Sequence, residues 1–192
     1  MAINLAEAIQ QNLGLPALQK IDPNTQEVKK PENVSALDYL GQAAIPVVLL
    51  GLYKFTGNKE GNAAILNGSL SDNLLERIFG DTKKEVVHRV AEYTGNSNEY
   101  TAENMELIAR EAIRVINENI SNQASDEAVR TFLIDQRNNI LVYLPAELQI
   151  GKAFHDDIID DRTNKMEGPL SSHMHWLEKF FPSTDRKKEE NW

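Results

Sequence analysis

Eleven consecutive residues, Ala43 to Tyr53, carry no charged side chain. A stretch this apolar must be covered on every side, and that requirement decides most of what the chain can fold into. The run is too short to span a bilayer, and Pro46 and Gly51 interrupt it, so it reads as a buried helix. Ser35-Ala36-Leu37-Asp38 has the pattern of a helix-starting capping box, which predicts a helix from there to Gly57. Pro46 is expected to kink this helix, because its ring removes one backbone donor and crowds the preceding turn. A central helix of this kind needs other amphipathic helices around it.

The rest of the chain supplies them. Leu5, Ala6, Ile9 and Leu13 fall at helical spacing, with Gly14 and Pro16 as a stop. Residues 17–34 read as a polar connector in which Leu18–Ile21 and Glu27–Lys29 form a possible small hairpin around Asp22-Pro23-Asn24-Thr25. Short helices are expected near Gly61–Leu66 and Asp72–Phe79, the second ended by Gly80. Thr82-Lys83-Lys84-Glu85 repeats the capping-box pattern and predicts a helix to Gly95. Thr101 is expected to cap a long helix with Met105, Ile108, Ala109, Ala112, Ile116 and Ile120 on one stripe. Ser125 opens another, with Phe132, Leu133, Gln136, Ile140 and Leu144 on one face; a hairpin of Phe132–Ile134 against Ile140–Leu144 competes, but no turn glycine separates the two runs. A helix from Pro145 carries Ile150, Phe154 and Ile158 four apart, and a last one, from Ser171 or Ser172 and ended by Pro182, has Leu170, Met174, Leu177 and Phe181 in register. The expected fold class is therefore all-α: a single-domain bundle of about six to eight helices over residues 1–182, followed by a charged tail, 183–192.

Composition narrows function. With no cysteine among 192 residues, disulfides, thiolate metal sites and thiol nucleophiles are excluded. A net charge of −9 argues against nucleic acid or anionic membrane as a partner. Met-Ala-Ile-Asn-Leu-Ala-Glu lacks the basic and apolar regions of a secretory signal, so a cytoplasmic location is expected.

Ionisable groups concentrate in one place. His155-Asp156-Asp157-Ile158-Ile159-Asp160-Asp161 holds four aspartates and a histidine in seven residues. Continuing the helix of Ile150, Phe154 and Ile158 puts Asp156 and Asp160 on the solvent side, Asp161 within the apolar stripe and Asp157 at its edge. Burying the last two ionised costs several kcal/mol or more unless they are paired. Either the helix ends near Ile159, or these carboxylates face a cation, for which Arg162, Lys165 or a hard divalent ion such as Mg²⁺ or Mn²⁺ would serve. The spacing does not match an EF-hand loop. The metal candidates are thus Asp156, Asp157, Asp160, Asp161 and His155.

Other chemistry is weaker. Glu85-x-x-His88 has di-iron spacing but occurs once, and both residues project away from the face of Val86, Val87, Val90 and Ala91. His173 and His175, two apart, point about 200° from each other on a helix and cannot share an ion. Gly51 to Lys59 lacks phosphate-loop spacing.

His155–Asp161 resembles the first aspartate-rich motif of trans-prenyl diphosphate synthases, which implies Mg²⁺ held on a diphosphate. Their second such motif has no counterpart in the 31 residues that follow. Ala153-Phe154-His155-Asp156 is similar to the His-Asp pair of all-α metal-dependent phosphohydrolases, with only His88 upstream and Asp185 downstream to complete a set. Phe132-Leu133-x-x-Gln136-x-x-x-Ile140-x-x-x-Leu144-Pro145-x-x-Leu148-x-x-Gly151 resembles a segment of YidB-like bacterial helical proteins, a family of unknown function, which implies an all-helical chain without catalytic residues. The reading that follows is a non-enzymatic protein that binds itself or a protein partner, with helix 36–56 and the last helix (Trp176, Phe180, Phe181) as sticky surfaces. The alternative is a divalent-metal-dependent hydrolase of phosphate esters or diphosphates built on the aspartates.

Overall fold

The structure, a computed structural model, describes residues 3–22, 36–67, 73–120 and 125–154. Seven α-helices and a closing single turn fill them: α1 (Leu5–Asn12), α2 (Ala36–Phe55), α3 (Lys59–Leu66), α4 (Leu74–Phe79), α5 (Lys83–Thr94), α6 (Asn98–Ile120), α7 (Asp126–Leu141) and α8 (Ile150–Ala153). The described residues contain no strand, and the helices form one all-α bundle. The segment Leu18–Ile21 is not half of a ladder. Gln42 holds it instead, accepting from the Gln19 N–H (2.8 Å) and donating to the Gln19 carbonyl (3.0 Å), and the Ile21 N–H donates to Val142 O (2.9 Å). Its proposed partner, Glu27–Lys29, lies outside the described residues.

Every residue from Leu40 to Leu52 is buried, so α2 is the core helix that its composition demands. It is wrapped by α1, α4, α5, α6 and α7. Each large aliphatic side chain fully covered in this way contributes about 1.5–3 kcal/mol. No single helix among the described residues is long and apolar enough to cross a membrane. Because α2 is enclosed from Leu40 to Leu52, most of the apolar surface expected to be sticky in helix 36–56 is spent on the core, and only Leu40 and Gly41 reach the floor of a surface groove.

Two glycines allow the helices to close on one another. At Gly51 a Cβ would lie 2.4 Å from the Phe79 ring, so α4 reaches α2 only over a glycine. Phe79 in turn stacks on Phe154 (centroids 5.9 Å apart, planes at 12°), while Lys54 sits 5.0 Å over the Phe154 ring and donates to its carbonyl (2.7 Å). At Gly61 a Cβ would lie 2.0 Å from Phe55 O, because α3 turns back 118° from α2 and presses on its last carbonyls. The turn is tied by Thr56, whose hydroxyl donates to Leu52 O, by Arg130, which donates to Tyr53 O (2.7 Å), and by Asn58, which accepts from the Gly61 N–H (2.8 Å).

One cap and two helix boundaries differ from the sequence expectation. Thr82 caps nothing: it ends a 3₁₀ turn, Gly80–Thr82, that runs straight into α5, and its hydroxyl donates back to Phe79 O (2.8 Å). Continuous helical backbone had already used the amides a cap would serve. Thr101 lies inside α6, fully buried, and Ser97 accepts from the Tyr100 N–H (3.2 Å) one turn earlier. After Pro145 the chain makes a 3₁₀ turn, Ala146–Leu148, and is broken by Gln149 in the left-handed region (φ 46°) before α8. The expected continuous helix from Pro145 is therefore absent. α4 is capped from a distance, its Leu74 and Leu75 N–H groups donating to the two oxygens of Glu106 on α6 (2.7 and 3.0 Å).

Tyr143 closes the bundle between α7 and α1. It is 1% exposed, and its hydroxyl donates to Glu7 and accepts weakly from Asn4 (3.5 Å). Burial, reinforced by the Glu7 carboxylate, pushes its phenol up to about 12 from 10.0. The folded chain holds this proton more tightly than the unfolded chain. The contribution is therefore complete below pH ~10 and is lost as pH rises from there through 12, on the order of 2 kcal/mol. Urea denaturation of the wild type between pH 9 and 12 should show this loss, and Tyr143→Phe should lack it. Parallel pH slopes for the two proteins would refute the assignment.

Candidate functional site

The sequence turns back on itself at Leu13-Gly14-Leu15. Gly14 takes φ 63°, a conformation that suits glycine, and the Leu15 N–H donates to Gln10 O (3.0 Å). The Gln10 side chain closes the turn by donating to Leu15 O. Leu15 is thereby laid on Gly41 of α2, where a Cβ would stand 3.3 Å from Leu15 Cδ1. The result is a groove of about 100 Å³, walled by Leu13 and Leu15 on one side and by Asn104, Leu107 and Ile108 of α6 on the other, with Leu40 and Gly41 beneath.

α6 lines this groove with a leucine and carries two exposed apolar side chains on an otherwise charged outward face. Its stripe Met105, Ile108, Ala109, Ala112, Ile116 and Ile120 is buried as the periodicity predicts. Leu107 is 55% exposed and Tyr100, two turns before it on the same face, 38%. Around them stand charges. Glu111 is held by Arg114 (2.6 Å) and by Asn12 of α1 (2.7 Å), and the Arg114 bond, aided by that from Asn12, keeps its carboxyl below the usual range. Arg114 also pairs with Glu118. Glu103 and Arg110 are exposed and have no ionic partner among the described residues.

The aspartate cluster is another matter. His155, Asp156, Asp157, Asp160 and Asp161 all lie outside the described residues, as do His173, His175 and the expected last helix. Among the described residues no three His, Asp or Glu side chains come together as a metal site. Glu85 pairs with Arg89 (2.7 Å) and His88 is exposed, both off the buried face of Val86, Val87, Val90 and Ala91. No family model, no curated protein and no solved structure matches the chain.

Reasoning on the α6 stripe alone passes over Tyr100 and Leu107, the exposed apolar side chains of this face. The signal is present: a leucine and a tyrosine seven apart, off the apolar stripe of their own helix. The groove is not legible, because its wall is built from Leu15, which reaches α6 only through the Gly14 turn.

Proposed function

We propose that this chain works by protein binding through the outer face of α6 and the groove it shares with α1 and α2. The observation that carries this reading is Leu107, more than half exposed at the edge of an apolar groove. A solvated leucine beside an unfilled apolar surface gains by being covered, and aromatic and aliphatic anchors of this kind dominate interface energetics. The net charge of −9 favours protein over nucleic acid as the partner. A photo-crosslinking amino acid at position 107, in the cells that make the protein, should give discrete adducts. The same group at Lys84, exposed on α5, should not. Absence of any adduct at 107, or equal adducts at both positions, would sink the reading.

A further inference from the structure

The charges beside Leu107 say more than that something binds there. Glu103 and Arg110 lie seven residues apart, one on each side of Leu107, and both are uncommitted among the described residues. Projected at 100° per residue, Glu103, Leu107 and Arg110 fall within about 60° of arc, with Tyr100 and Arg114 on the same strip. Between α1 on one flank and α4 on the other, this strip runs for about 21 Å along α6. Its centre, Glu103, Leu107 and Arg110, is negative, apolar, positive in order. A pattern of that order is complementary to itself when reversed, which is the requirement for a two-fold interface.

We infer that the occupant of this face is a second copy of the chain, its α6 antiparallel to the first, with the two-fold axis passing beside Leu107. This rests on the binding reading above. In that arrangement Glu103 faces Arg110 of the second copy and Arg110 faces its Glu103, so each charge pair occurs twice. The two Leu107 side chains meet at the axis and cover the grooves. A parallel pairing would set Glu103 on Glu103 and Arg110 on Arg110, which repels. The apolar centre supplies affinity; the flanking charges choose the orientation.

Sedimentation equilibrium on the purified full chain tests this directly. The wild type should dimerise at micromolar concentrations. Glu103→Arg alone and Arg110→Glu alone each set like charges opposite one another at two places, and each should weaken the dimer about tenfold or more. Glu103→Arg with Arg110→Glu in one chain should return to within about threefold of wild type. Mixing the two single variants should also restore association, because every facing pair in the mixed dimer then joins a positive charge to a negative one. All these positions are exposed, so folding is not at stake. A wild type that stays monomeric at hundreds of micromolar overturns the inference, as does a dimer indifferent to both swaps. Crosslinks from position 107 to a different protein, with a monomeric chain, overturn the second copy while leaving the binding reading intact.

Discussion

Gly61→Ala is expected to destabilise the chain by about 3 kcal/mol, although the change puts a better helix former inside a helix. On propensity alone the substitution should gain close to 1 kcal/mol. Here the added methyl would stand 2.0 Å from Phe55 O and 2.8 Å from Phe55 C, both backbone atoms of the last turn of α2. No rotamer change relieves a clash with a carbonyl. α3 would have to move away from α2, breaking the Asn58 cap on Gly61 and the bond from Asn117 of α6 to Ile65 O (2.8 and 3.0 Å). Gly41→Ala is the matched control, since its methyl meets only the Leu15 side chain, Cδ1 at 3.3 Å and Cβ at 3.5 Å, and no backbone. That variant should unfold within about 0.5 kcal/mol of wild type, propensity and crowding nearly cancelling. Equilibrium urea curves decide the matter: equal midpoints for the two variants would show that α3 does not press on α2 as described.

The same comparison shows which parts of the fold were open to sequence reasoning. The run Ala43 to Tyr53 announces a central helix because no other arrangement hides it, and the stripe of α6 announces its buried face. What these patterns do not carry is how far burial goes. α2 is packed by five helices, so most of the surface that looked adhesive in the sequence is interior. Capping signals were misleading for a related reason. Thr82 and Thr101 carry the right local chemistry, but a cap acts only where amides are unpaired, and α5 and α6 begin with helical backbone already upstream of both. Gln149 breaks the chain after Pro145 in a left-handed conformation with no glycine to mark it. Long-range caps, such as Glu106 on α4, leave no local trace at all.

One such long-range contact controls the candidate site. Gln136 lies on the apolar stripe of α7 and is 4% exposed, a polar residue where the pattern asks for an aliphatic one. Its side chain faces the start of α1, accepting from the Leu5 N–H (2.9 Å) and donating to Ile3 O (2.9 Å). Leu5 is fully buried, so water cannot replace the lost acceptor. Gln136→Leu keeps the volume and removes both bonds, and each unpaired backbone group costs about 1–3 kcal/mol. The expected loss is about 3 kcal/mol, and it should be local. α1 is held by this bond pair, by the contact of Tyr143 with Glu7, by the bond from Asn12 to Glu111 and by the buried Leu5, Ala6 and Ile9, whereas α6 is anchored along its whole length. Hydrogen exchange should therefore show α1 amides losing protection while those of Met105 to Ile116 keep theirs. Because α1 leads directly into Leu13 and Leu15, the wall of the groove would loosen with it, and the association proposed at Leu107 should weaken in a protein whose core is intact. A uniform loss of protection across α1 and α6 would instead mean that Gln136 supports the whole bundle, and that α1 does not open by itself.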